Sequence, residues 1–113
     1  MSKGELAEQT AARYLQQQGL KLLQRNYRCR GGEIDLILQD RDTLVFAEVR
    51  LRSGHAFGGA AASITRTKQQ RLILAAQHYL AGQHRLPPCR FDAVLMETPE
   101  GGGLQWVKHA FDT

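Results

Sequence analysis

Two alternating runs joined by a short polar step constrain this chain more tightly than any other feature. From Glu33 to Gln39, Ile34, Leu36 and Leu38 fall on one side and Glu33, Asp35, Ile37 and Gln39 on the other. Thr43 to Leu51 alternates in the same way, with Val45, Ala47, Val49 and Leu51 opposed to Leu44, Phe46, Glu48 and Arg50. Asp40-Arg41-Asp42-Thr43 between them has the composition of a turn. With Arg41 and Asp42 as the two turn residues of a hairpin, Asp40 pairs with Thr43 and Leu36 with Ala47. Ile34 and Leu38 then meet Val49 and Val45, so one face is wholly apolar. A slip of one residue would destroy that match, which makes burial itself the arbiter of register.

The rest of the chain arranges itself around this hairpin. Ser2-Lys3-Gly4-Glu5 has the form of a capping box, Ala7, Ala11, Tyr14 and Leu15 recur at helical spacing, and Gly19 is a natural stop. Residues 20–27 read as a strand and the basic stretch Arg28 to Gly32 as a loop. Beyond the hairpin, residues 53–62 are small, Gly- and Ala-rich and loop-like. A helix over residues 65–81 follows, with Lys68, Leu72, Ala75, Ala76 and Tyr79 along one side. Gly82 and Pro87-Pro88 end it. Cys89 to Met96 is a further strand, Gly101-Gly102-Gly103 a turn, and Leu104 to Phe111 a last strand or irregular tail. The order αβββαββ predicts an α/β fold, a central mixed sheet flanked by helices. At 113 residues the chain fits one domain.

Composition narrows the setting. Apolar stretches such as Leu44 to Ala47 are strand-sized, far from the roughly 20 residues that cross a bilayer. Glu5, Glu8 and Arg13 interrupt any signal-like apolar run, so a cytoplasmic protein with no membrane partner is expected. In that compartment Cys29 and Cys89 are read as reduced thiols. His55, His78, His84 and His109 show no zinc spacing. A formal charge of +4 favours a polyanionic partner. Arg25, Arg28 and Arg30 precede the first acidic run, and Arg50, Arg52, Arg66, Lys68 and Arg71 follow the second.

The hairpin register carries a chemical consequence, because it sets Asp35 directly opposite Glu48. Paired side chains on a sheet have Cβ atoms about 5 Å apart. Two carboxylates that close raise one pKa unless a cation joins them, and Mg²⁺, which prefers oxygen ligands and tolerates phosphate and water beside them, is the natural candidate. Arg50 shares the face of Glu48, and two acids with a cation form a phosphodiester-type site. On spacing alone the other reading is a solvated hairpin face whose acids Arg50 neutralises.

A set of ordered motifs bears on that choice. They are Glu8-x-x-Ala11-x-x-x-Leu15-x-x-x-Gly19, Arg25-Asn26, Gly32-Glu33-Ile34-Asp35-Leu36-Ile37, Val45-Phe46-Ala47-Glu48-Val49-Arg50-x-Arg52, Phe57-Gly58, Lys68, Arg90-Phe91-Asp92 and Ala110-Phe111. In these the chain resembles the YraN family of small bacterial proteins, which is placed in the restriction-endonuclease-like PD-(D/E)XK superfamily and is similar to archaeal Holliday-junction resolvases. The resemblance implies that Asp35 and Glu48 bind Mg²⁺ or Mn²⁺ and that Glu8 is a first-helix acid completing the site. Read from its residues alone, Glu8 is an early-turn acid that complements the helix dipole. Arg50 departs from the superfamily pattern, which has lysine there. Arginine, with a pKa above roughly 12, does not act as a base, although it braces a phosphate and stabilises developing charge. Lys68 has two readings, an auxiliary catalytic cation or a lysine whose stem packs while its ammonium reaches water. Asp92 beside Arg90 reads as a structural charge pair, Trp106 and Tyr79 as core, and His55 as a loop residue near nucleic acid or near nothing.

The resulting expectation is a nucleic-acid-binding protein of nuclease fold, a Mg²⁺- or Mn²⁺-dependent endonuclease acting on DNA. Asp35, Glu48, Arg50 and Lys68 form its catalytic group, and Arg25, Arg28, Arg30, Arg52 and Arg66 hold phosphates. By analogy with the resolvases it works as a homodimer. The alternatives are a non-catalytic nucleic-acid-binding module of the same fold, serving a DNA-processing assembly, and a structural or protein-binding role without salt-sensitive affinity for nucleic acid.

Overall fold

A computed structural model of the chain describes residues 1–52 and 64–112. The Gly- and Ala-rich stretch, with His55 and Phe57-Gly58, lies outside the described residues. The first helix, α1 (Lys3–Gln17), opens on the expected capping box: Ser2 Oγ accepts from the Glu5 N–H at 3.1 Å and Glu5 Oε1 from the Ser2 N–H at 3.5 Å. It stops where Gly19 takes φ 98°, a left-handed conformation that glycine adopts without penalty. Strands β1 (Lys21–Cys29), β2 (Gly32–Asp40) and β3 (Thr43–Leu51) form an antiparallel meander. Helix α2 (Arg66–Leu80) begins at Thr65, whose side chain accepts from the Lys68 N–H at 3.2 Å. It belongs to the crossover that brings β4 (Cys89–Met96) parallel to β3, and β5 (Gln105–Val107) closes the sheet antiparallel to β4. The sheet is therefore mixed, with strand order β1-β2-β3-β4-β5, and the element order is the expected αβββαββ.

The two faces bury separate cores. On one, Leu36, Leu38, Val45, Ala47, Val94 and Met96 pack under Ala7, Ala11 and Leu15 of α1. On the other, Ile37, Phe46, Phe91, Ala93 and Leu95 pack under Leu72, Ala75 and Ala76 of α2. Tyr79 is packed against this second core, as expected. Among the described residues, neither helix is long and apolar enough to cross a membrane.

Three sequence expectations need correction. Arg28 is not in a loop but continues β1, which runs to Cys29 and turns through Arg30-Gly31. Ile34 does not share a face with Leu36 and Leu38; it packs with Ile37 and Phe46 in the α2 core. The hairpin ladder holds from Asp40↔Thr43 to Leu36↔Ala47, as burial dictated, and ends there, so Ile34–Val49 and Asp35–Glu48 are not ladder pairs. The cause lies in β1. Asn26 adopts φ 53°, and β1 pairs with β2 at Arg25↔Leu36 and Tyr27↔Ile34 but not between them. A residue in the left-handed region interrupts the pleat, and the alternation of β2 turns over at Asp35.

The end of the sheet that carries the hairpin turn is clamped by a buried carboxylate. Asp92, 1% exposed, accepts from Arg90 Nε at 3.0 and 3.2 Å, from Trp106 Nε1 at 3.0 Å and from the His109 N–H at 3.2 Å. Arg90 Nη2 reaches Asp40 Oδ2 at 2.8 Å, tying β4 to the hairpin turn. Asp92 is thus the structural charge partner expected of it, and Trp106 a half-buried residue anchored by its indole N–H. Asp92→Ala should strip Arg90 of its buried partner and lower stability by about 3–5 kcal/mol. Urea unfolding followed by Trp106 fluorescence checks this, and a loss below about 1 kcal/mol would mean that the clamp is dispensable.

Candidate functional site

The acid pair stands where the hairpin ladder gives out. β2 presents Asp35 and β3 presents Glu48, and the Val49 N–H donates to Asp35 Oδ2 at 2.9 Å. A backbone donor that a regular ladder would give to a carbonyl is here satisfied by a carboxylate. The two acid side chains are close enough for each to shift the other's protonation. Burial is the main cause that pushes Glu48 up to about 8, with the charge of Asp35 second; Lys68 and Arg50 oppose the rise. Asp35 is also raised by burial, against the Val49 N–H and the Glu48 hydrogen bond, which hold it down. Both acids of the pair are thus raised, by burial first, and Glu48 the further, to about 8.

Glu8 enters from α1 on the Asp35 side. Its carboxyl is raised by burial and by Asp35, while a hydrogen bond from Asn26 and the charges of Arg25 and Arg28 draw it back. The left-handed residue of β1 is thus also a neighbour of the third acid. On the α2 side, Glu33, Glu48, Lys68, Arg71 and Leu72 line a small cleft. Lys68 acts on both Asp35 and Glu48, whereas Arg50 acts on Glu48 and more weakly than Lys68 does. Thus Lys68, on a different element, is the principal cation of the acid pair.

The structure brings together Glu8, Asp35, Glu48, Arg50 and Lys68, with Arg25 and Arg28 close to Glu8. Arg28 also stands 3.8 Å from Glu33 in an exposed ion pair, and Arg30 is exposed on the adjoining turn. Two of the expected phosphate-binding arginines have other surroundings. Arg52 gives Nη2 to Gln105 Oε1 at 3.3 Å, and Arg66 lines a groove with Gln69, Gln70, Ile73 and Asp112. Three residues of the site, Asn26, Glu33 and Arg71, appear in the sequence reading only within motifs or a charge run and were given no role there. An asparagine inside a strand-like run was the available signal for the first, since it tolerates left-handed backbone where most residues do not.

Among the described residues, no three His, Cys, Asp or Glu side chains converge closely enough to enclose a metal ion. The donor set nevertheless suits a hard divalent cation. Two half-buried carboxylates side by side match the one or two that Mg²⁺ takes alongside water and phosphate.

Comparison with known proteins bears out the family resemblance. Residues 7–96 match the family described as "Uncharacterised protein family UPF0102". A UPF0102 protein of Nitrosomonas europaea is 60% identical over 111 residues, spanning 98% of this chain and 94% of that one. One from Cupriavidus metallidurans is also 60% identical, over 97% of this chain and 81% of its own. A third, from a Janthinobacterium species, is 55% identical over 96% of this chain and 86% of its own.

The raised Glu48 carboxyl ties stability to pH. Glu48 binds its proton more tightly folded than unfolded, so its contribution is fully present below the ordinary glutamate range and is lost as pH rises from about 4.5 to about 8. Glu48→Gln keeps a neutral donor to Asp35 and should abolish that loss. Urea midpoints of the two proteins should therefore agree near pH 4.5, and the variant should exceed the wild type by a few kcal/mol at pH 8. Parallel pH profiles would contradict the assignment of the proton to Glu48.

Proposed function

This chain belongs to the UPF0102 family, and we propose that it is a metal-dependent nuclease that hydrolyses phosphodiester bonds of DNA in the cytoplasm. The observation that carries this reading is the half-buried Asp35–Glu48 pair at the end of the hairpin ladder, with Lys68 lining a cleft beside Glu48. Asp35 and Glu48 would hold Mg²⁺ or Mn²⁺ in place of the proton, with Glu8 adding negative charge on the Asp35 side. When bound, the ion supplies a Lewis acid that polarises phosphoryl oxygen and makes water more acidic. The restriction-endonuclease-like resemblance supports the same assignment.

The cations divide the remaining work. Arg50 keeps its charge at every working pH and stabilises the phosphoryl group as charge builds on it. Lys68, from a different element, lies where its charge acts on both acids and would serve as the auxiliary cation of the reaction. Arg25, Arg28 and Arg30, exposed along the edge strand and its turn, meet the polynucleotide backbone. Contacts of that kind give affinity and orientation without reading bases.

One observation favours a binding module instead: position 50 is an arginine, which is no base. The two readings part on a single assay with labelled single-stranded, duplex, flap and four-way-junction DNA in Mg²⁺, Mn²⁺ or EDTA. The nuclease should cut only with metal, Glu48→Ala should abolish cutting, and Lys68→Ala should slow it by about 10²–10⁴-fold. Tight, salt-sensitive binding without cutting on every substrate would reduce the site to a docking surface. For either reading, Arg28→Ala should lower the slope of log affinity against log salt by about one. Metal binding at neutral pH should also release a proton, visible as buffer-dependent heat in calorimetry and absent in Glu48→Gln.

A further inference from the structure

Helix α2 approaches the β1–β2 turn more closely than a side chain at position 32 allows. A Cβ built on Gly32 would lie well inside 3.0 Å of the Arg71 carbonyl oxygen and 3.1 Å from both the Cβ and the N of Ala75. The obstacle is helix backbone, which does not swing aside as a side-chain tip does. Gly31 next to it differs: a Cβ there would meet only the end of Leu74, which is 45% exposed, and what restrains that position is its φ of 87°. Gly32 is thus the point at which strand and helix touch directly.

That point is one helical turn from the cleft. Lys68, Arg71, Leu72 and Ala75 follow one another at the three- and four-residue spacing of a single helix face. Arg71 and Ala75 meet Gly32, while Lys68, Arg71 and Leu72 line the cleft with Glu48 and with Glu33, the residue after Gly32. The same contact that seats the helix on β2 therefore sets how far its cations stand from the acids.

We propose that Gly32 is a positioning residue, whose missing side chain lets α2 seat on β2 so that Lys68 reaches the Asp35–Glu48 pair. The inference rests on the nuclease reading for its kinetic consequence but not for its geometry. Restoring ordinary van der Waals separation after Gly32→Ala displaces α2 by about 1 Å, and a misplacement of that size in a catalytic group costs about 10²-fold in rate.

The test is a double-mutant cycle in metal-dependent cleavage, with Gly32→Ala, Lys68→Ala and the two combined. Gly32→Ala should slow cleavage about 10²-fold while retaining Mn²⁺ affinity, and it should add nothing to Lys68→Ala. Equal losses in both backgrounds would make Gly32 merely structural and overturn the proposal, as would wild-type rates in Gly32→Ala. Ala75→Ser, a milder wedge at the same contact, serves if Gly32→Ala does not fold, and the same non-additivity is required of it. A second readout needs no activity: zero-length carbodiimide coupling of Lys68 to Glu48 or Glu33, mapped by mass spectrometry. It should form in the wild type and fall several-fold in the folded variant. If the wild type cuts no substrate, the nuclease reading fails by itself and this cross-link decides the positioning claim, its persistence in the variant refuting it.

Discussion

Where the hairpin ladder ends, the Asp35 carboxylate takes over the Val49 N–H, and much of the molecule is arranged around that substitution. A buried N–H left without an acceptor costs about 1–3 kcal/mol, so β3 is free to depart from β2 only because a side chain fills the role of a strand. The departure opens the cleft in which Glu48 stands. It also half-buries two acids at once, which is why the pair retains a proton that solvent-exposed carboxylates would have shed. The left-handed Asn26 in the neighbouring strand belongs to the same distortion, and through its bond to Glu8 it connects the bend in β2 to the first helix.

Burial made the hairpin legible. Leu36, Leu38, Val45 and Ala47 are fully enclosed, so their alternation predicted the register that forms. The same logic failed at Ile34, because the face a residue takes depends on the pleat continuing, and a backbone conformation at Asn26 breaks it. Nothing in the alternation of β2 itself announces that break. Asp35 and Glu48 were found by register and do meet, but through their side chains and not as ladder partners. Charge along the chain does not give position: Arg52 and Arg66 adjoin Arg50 and Lys68 in sequence, and one donates to Gln105 while the other lines a groove with Asp112. Glu33 and Arg71 stood in a motif and a charge run without a role of their own for the converse reason: what brings them together at the cleft is the close approach of α2 to Gly32, three positions before Asp35.

The two ends of the sheet answer the same problem differently. At the hairpin-turn end Asp92 is more deeply buried than either site acid, yet it is matched by a guanidinium, an indole N–H and a backbone N–H. Every lone pair there has a fixed donor, and the arrangement is rigid and closed. At the other end the acids lie side by side, with a lysine lining the adjoining cleft and, among the described residues, one backbone N–H donating to Asp35. One carboxylate is buried to hold strands together, while the other two stand beside an open cleft.

The parallel pairing of β3 with β4 has a consequence for how the chain assembles. Neighbouring strands of the meander find each other across short turns, whereas β4 reaches β3 only after the whole α2 crossover has been closed, and loop closure of that length is slow. Glu8, Asp35 and Glu48 all lie in the early-forming part and Lys68 in the late one. In a mutational analysis of the folding transition state, β2 and β3 should give high φ-values and α2 low ones; the reverse pattern would refute this order. The acids are then gathered before their lysine arrives.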